Sequence, residues 1–321
     1  MSRRGEGHFS ASGGLRLYWQ SRRPEAPPRA AFVLVHGVGE HGGRYENLME
    51  PLARAGYAVY TYDQRGHGRS PGPRVHIDRW SQYRDDLGAF LTFVAQQAPR
   101  LPLVLYGHSM GSLVVLDYAI VHPRGLAALI VSGVALQPAG VGAAWQVAAA
   151  RLLTHVTPRL SLDLHIRPDA LTRDPAARAA ALADPALTSK ATVRWGTESL
   201  ATVAVVRRRL GEITLPLLVV HGGDDPLNRP AGAQELVDSV SSADKTLTVY
   251  PGVRHEPHND LGHEQVAADI IAWLDRITAR DAAEAAVATA ATQDAVATAG
   301  AATADPTVPA AAAAGGGDGE T

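Results

Sequence analysis

The chain alternates between short, nearly all-apolar runs and longer stretches in which apolar residues recur every three or four positions. The apolar, β-branched runs fall at 8–11, 15–20, 31–36, 57–62, 103–106, 127–132, 217–221 and 246–250, and each reads as a strand. Stretches at 44–55, 81–97, 110–121, 231–242 and 263–279 carry the helical period. Strands apolar on both faces and separated by helix-length segments predict an α/β fold, a mostly parallel eight-stranded sheet with helices on both faces. The first two runs meet at Gly13-Gly14 and predict an antiparallel hairpin on the sheet edge.

The rhythm breaks twice. From about 137 to 211 there is no convincing strand, only Ala-, Leu- and Arg-rich helical sequence, which predicts a helical insertion between two strands. Such an insertion is placed to cover a site. From about Asp281 the chain is Ala, Thr, Gly and Val with scattered acids, ending AAAAGGGDGET. It lacks the large apolar residues that offset the entropy of ordering, so 281–321 is expected to be a disordered tail after a folded domain spanning 1–280.

Composition removes several function classes. At 46% hydrophobic, 19% charged and a formal charge of −2, the chain is an ordinary globular one with no electrostatic reason to seek nucleic acid. It has no cysteine, which excludes a thiol nucleophile, disulfides and Cys-ligated zinc. The opening MSRRGEGHFSASGG has no apolar core of a signal peptide, so a cytoplasmic location is expected. Nothing in the sequence sets the oligomeric state.

One loop carries two readings. In FVLVHGVGEHGGRYENL a strand runs into Gly37-Val38-Gly39-Glu40-His41-Gly42, which satisfies G-x-G-x-x-G, and a second strand ends on Asp63. That is the pattern of a dinucleotide fingerprint with a ribose-binding acid. Against it, Glu40 would put a carboxylate where a pyrophosphate must lie.

A second motif competes for the chemistry. Gly107-His108-Ser109-Met110-Gly111 stands directly after a strand and before a helix. G-x-S-x-G alone is weak, but this context forces the serine into a tight turn that lifts its Oγ above the sheet over a helix N-terminus. A serine needs a base and an orienting acid. HGGDDPLNRP follows one later strand and offers Asp224 and Asp225; YPGVRHEPHND follows the next and offers His255 and His258. The order Ser, Asp, His on loops at one sheet edge is the order this architecture uses. His255 and His258 are only three apart with a proline between, so the H-E-x-x-H zinc pattern is not met and no metal is expected.

These residues resemble the α/β-hydrolase superfamily of serine hydrolases, most of all the monoacylglycerol lipases and lysophospholipase-like proteins. The resemblance spans residues 8 to 280. It rests on His36-Gly37-Val38-Gly39-Glu40-His41 with Arg44-Tyr45, on Asp63-Gln64-Arg65-Gly66-His67-Gly68-Arg69-Ser70, and on Gly107 to Gly111, with Ser112 in place of a usual third glycine. Asp184-Pro185 and Arg194-Trp195-Gly196 are similar to the cap of these lipases. The resemblance implies an α/β-hydrolase fold and a triad of Ser109, Asp225 and His255, choosing Asp225 over Asp224 and His255 over His258. It implies an oxyanion hole from the backbone N–H groups of Val38 and Met110, which answers the loop question and leaves Asp63 a structural turn. The substrate would be a small lipid ester, with Glu40, Arg44, His108, Trp145 and Leu152 as binding candidates and no cofactor.

The apolar residues of the insertion, among them Trp145, Leu152, Leu153, Val156, Leu160 and Leu162, are expected to roof an acyl channel and to touch a membrane surface transiently. Arg207-Arg208-Arg209 reads as a solvated helix face. The alternatives are a lysophospholipase, a general carboxylesterase, a peptidase, or a scaffold that keeps the fold without turnover. An epoxide hydrolase of this fold would need an aspartate nucleophile where Ser109 stands.

Overall fold

The computed structural model describes residues 2–140 and 144–279. Contacts divide the chain into a unit Met1–Thr278 and a remainder Ala279–Thr321. The expected tail at 281–321 lies outside the described residues.

All eight strand segments form one sheet. In chain order they are β1 (Arg3–Ser10), β2 (Arg16–Arg23), β3 (Ala30–Val35), β4 (Tyr57–Tyr62), β5 (Leu103–His108), β6 (Ala128–Ser132), β9 (Leu217–Gly222) and β10 (Lys245–Tyr250). Two further strands, β7 (Ser161–Asp163) and β8 (Lys190–Thr192), pair with each other outside it. The spatial order is β1-β2-β4-β3-β5-β6-β9-β10. β1 and β2 form the antiparallel hairpin and β2 joins β4 antiparallel; every later pairing is parallel. The hairpin reaches further than the apolar runs suggest, because its edge strand carries charges at Arg3, Arg4 and Glu6 that the hydrophobic pattern omits.

β3 shows how the sheet is held. Ala31, Val33 and Val35 face one core and Ala30, Phe32 and Leu34 the other, all fully buried. On the first face lie α2 (Ser81–Gln97), α3 (Met110–Val121) and α8 (Pro230–Ser239), through residues such as Phe90, Leu113 and Leu236. On the second lie α1 (Glu46–Arg54), through Leu48 and Leu52, and α9 (263–279), through Ile270 and Leu274. Burying each large aliphatic or aromatic side chain contributes about 1.5–3 kcal/mol, so alternation along the strands is what makes a two-faced sheet the stable arrangement.

The insertion folds as α4 (Ala144–Val156), α5 (Pro168–Leu171), α6 (Pro175–Ala183) and α7 (Val193–Arg209), with the β7–β8 ladder between them. That ladder corrects the expectation of a purely helical insertion. Its strands are three residues each, and β7 is exposed along its length, so no apolar alternation marks it.

Candidate active site

Parallel strands all end on one edge, and the site is built there. β5 ends on His108, and Ser109 follows at φ 52°, ψ −121° before α3 begins at Met110. A positive φ strains a residue with a Cβ, so the surroundings must hold it. They do so by close packing. A Cβ on Gly107 would lie 2.4 Å from the Gly111 carbonyl oxygen, and one on Gly111 would lie 2.1 Å from that of Val35. The Ser109 N–H donates to the Ser132 carbonyl at 2.9 Å. Ser112, the departure from glycine, is absorbed: its hydroxyl donates to the Ser109 carbonyl and accepts from the Ala135 N–H. Met110 opens the helix, so its N–H has no intrahelical acceptor.

The acid and base come from the ends of β9 and β10. His255 Nδ1 lies 2.8 Å from Asp225 Oδ2, both buried. Asp225 Oδ1 accepts the backbone N–H groups of Leu227 and Asn228. Burial opposes the charge on Asp225, but His255, His221 and the Asn228 N–H outweigh it and hold the carboxyl well below its usual range. Burial likewise opposes a proton on His255, and Asp225 outweighs it, so the imidazole binds its proton more tightly than an ordinary histidine. Such a pair orients a base with one nitrogen left for a hydroxyl. Asp224 is not part of it, and His258 stacks on Tyr45 with ring centroids 4.3 Å apart. Burial pushes His258 down to about 3.

The loop after β3 is pinned from every side. Gln64 N–H donates to His36 Nε2, so the Nδ1–H faces the Gly37 carbonyl at 2.7 Å. Glu40 accepts from the Gly37 N–H and the Tyr45 hydroxyl and pairs with Arg44. Arg44 reaches on to Glu256 at 2.6 Å. All three charged side chains are buried, and although burial alone would weaken Arg44's hold on its proton, Glu256 and Glu40 outweigh it. Asp63 accepts from the Gly42 and Arg69 N–H groups, so it is a structural turn.

The cap clasps both loops. Thr188 N–H donates to the Gly39 carbonyl and His41 Nε2 lies 2.8 Å from Asp184. Across the site, the Glu256 N–H donates to the Leu171 carbonyl, and Arg173 binds Asp260 on the histidine loop. Beneath lies a cavity of about 740 Å³ lined mainly by apolar side chains, with Val38, Glu40, Arg44, His108, Ser109, Met110 and His255 all in its wall. Two of the substrate-binding candidates are not. Trp145 and Leu152 are 71% and 70% exposed and stand outside the lining; α4 contributes Gln146, Val147 and Ala150 instead. A cap helix has apolar residues on both faces, and its sequence alone gives no sign of which one turns inward. Glu256 and His221 have no role in the sequence reading, although both stand inside the segments YPGVRHEPHND and HGGDDPLNRP that supplied the base and the acid.

Among the described residues no cluster of His, Cys, Asp or Glu is arranged to hold a metal ion, and no helix is long and apolar enough to cross a membrane.

The chain is similar to known proteins in sequence and in fold. Residues 26–262 match the Hydrolase_4 family, described as serine aminopeptidase, S33. A monoacylglycerol lipase of Mycolicibacterium smegmatis is 36% identical over 274 residues, covering 85% of this chain and 98% of that protein. The crystal structure of Paleococcus ferrophilus monoacylglycerol lipase is similar with a TM-score of 0.73 at 30% identity, over 81% of this chain and 99% of that one. A soluble variant of the Saccharomyces cerevisiae monoglyceride lipase, solved with a substrate analog, is similar with a TM-score of 0.76 at 27% identity, over 84% of this chain and 94% of that one.

Proposed function

The chain belongs to the Hydrolase_4 family of α/β-hydrolases, and on that premise we propose that it hydrolyses monoacylglycerols to glycerol and fatty acid through an acyl-enzyme on Ser109. The observation that carries the reading is the roofed, largely apolar cavity with Ser109 and His255 in its wall. Ser109 Oγ attacks the ester carbonyl while His255 takes its proton, and Asp225 holds the imidazole and stabilises the imidazolium. The Val38 and Met110 N–H groups take the charge that develops on the carbonyl oxygen. His255 then protonates the departing glycerol, and water attacks the acyl-enzyme by the same steps. Leu113, Trp195, Leu200 and Val203 receive the acyl chain; Glu40, Arg44 and His108 form the polar end for the glycerol hydroxyls.

We propose that the cap also meets lipid surfaces. The side chains of Trp145, Leu152 and Val156 are exposed along α4. An apolar outer face of this kind seats in the boundary between headgroups and acyl chains. The enzyme would then be cytoplasmic and peripherally attached.

The test is kcat/KM across a monoacylglycerol series below aggregation. An enclosed channel gives up to about 0.8 kcal/mol per buried CH₂, roughly fourfold per carbon if it persists in the transition state. Activity should climb with chain length until the channel is full, and di- and triacylglycerols should be poorer. A flat profile, or a preference for acetate esters or aminoacyl amides, would remove the lipase reading.

A further inference from the structure

His221 is the penultimate residue of β9, fully buried, and no step above uses it. The Val134 N–H donates to its Nδ1 at 3.2 Å. A backbone N–H can only donate, so Nδ1 is the bare nitrogen and Nε2 carries the hydrogen. That Nε2 donates to the Asn228 carbonyl oxygen at 3.1 Å and lies 3.3 Å from Asp225 Oδ2. Oδ2 is the oxygen that meets His255. Asn228 in turn donates its side-chain amide to the Gly133 carbonyl at 2.7 Å. His221 therefore ties the loop after β6 to the loop that presents the acid.

We propose that His221 is a positioning residue for the Asp225 carboxylate, an inference that rests on the reading of Asp225 and His255 as the pair serving Ser109. Its N–H sits on the Oδ2 side, while the Leu227 and Asn228 N–H groups hold Oδ1. The carboxylate is thus gripped on both oxygens, with one lone pair of Oδ2 aimed at His255. The same N–H draws charge from Oδ2 and moderates the hold of Asp225 on the His255 proton. The titratable groups around this assembly are His108 at the end of β5, and His255 and His258 on the histidine loop. Glu256 and Glu40 lie behind His255, both paired to Arg44.

Two amides separate the two nitrogens of His221. His221→Asn keeps an acceptor for the Val134 N–H but is too short to reach Asp225. His221→Gln places an amide N–H near Asp225 with its carbonyl toward Val134. In the full-length enzyme on a monoacylglycerol, His221→Asn should lower kcat about tenfold with KM within about twofold. It should also move the acid limb of kcat/KM to higher pH by about half a unit, because His255 must be neutral to act and would hold its proton more tightly. His221→Gln should restore kcat to within about threefold and return the limb to its place. An Asn variant with wild-type kcat and limb, a limb that stays or moves down, or equal losses in both variants would overturn the proposal. Ser109→Ala run alongside separates the failures: turnover that survives it removes the triad reading itself, whereas a dead Ser109→Ala beside a normal Asn variant removes only His221.

Discussion

Arg44 Nη2 lies 2.6 Å from Glu256, joining the loop after β3 to the loop that carries His255 across 212 residues of chain. Glu40 shares the same guanidinium, so one buried cation serves two buried carboxylates. The two halves of the candidate site, the loop proposed to bind the oxyanion and the loop of the proposed base, are held together by charge.

Removing that cation leaves both carboxylates buried with neutral hydrogen-bond donors but no counter-charge. Arg44→Met should destabilise the protein by about 3–5 kcal/mol, the usual cost of breaking a buried ion pair from one side. Urea unfolding measures it. A loss below about 1 kcal/mol would mean the carboxylates find other partners.

Acid should unfold the protein early. Burial pushes His36, His67 and His258 down to about 3, and His108 well below its ordinary value. Unfolded, each takes up a proton near pH 6.5; folded, each stays neutral. The stability they contribute is therefore complete above pH 6.5 and falls with pH, by up to about 1.4 kcal/mol per unit for each. His255 runs the other way, since its raised proton affinity favours the folded state below 6.5 and is lost as pH rises through its folded value. His76 is lowered by burial as well and acts in the same direction. From the four most deeply buried rings set against His255, the unfolding free energy should drop by about 4 kcal/mol between pH 7 and 5.5. A change under about 1 kcal/mol would show these rings reach water.

How much of this is readable in the sequence depends on what each element buries. α2 and α3 occupy the residues their apolar period marks, and the central strands match their apolar runs to within a residue or two, because both are fixed by burial in the sheet core. The candidates Ser109, Asp225 and His255 stand out in the sequence because each follows a recognisable strand, and the fold brings Asp225 and His255 together. The cap was less legible. Its ladder Ser161–Asp163 with Lys190–Thr192 is too short and too exposed for a pattern. Trp145 and Leu152 face outward because the small residues Val147 and Ala150 turn to the cavity. His221 is a histidine in a strand of apolar residues, and only its partners reveal a use.

The exposure of Trp145 and Leu152 separates two substrates. Trp145→Ser with Leu152→Ser should leave kcat/KM on a monomeric short-chain ester within about twofold, because neither side chain lines the cavity. Activity on monoacylglycerol in vesicles should fall severalfold, with less protein sedimenting with them. Equal activity on both would end the surface-contact reading.

Val38→Pro removes one proposed oxyanion donor. If the variant folds, kcat should fall by about 10²- to 10³-fold. Normal kcat in a folded variant would mean the donor lies elsewhere.

The most direct measurement is the acyl-enzyme itself. Rapid acid quenching during turnover of a monoacylglycerol, followed by peptide mass spectrometry, should find the acyl group on the peptide holding Ser109. The adduct and turnover should both vanish in Ser109→Ala, with the melting temperature little changed. Turnover that persists in Ser109→Ala, or an acyl group on another residue, would contradict the account.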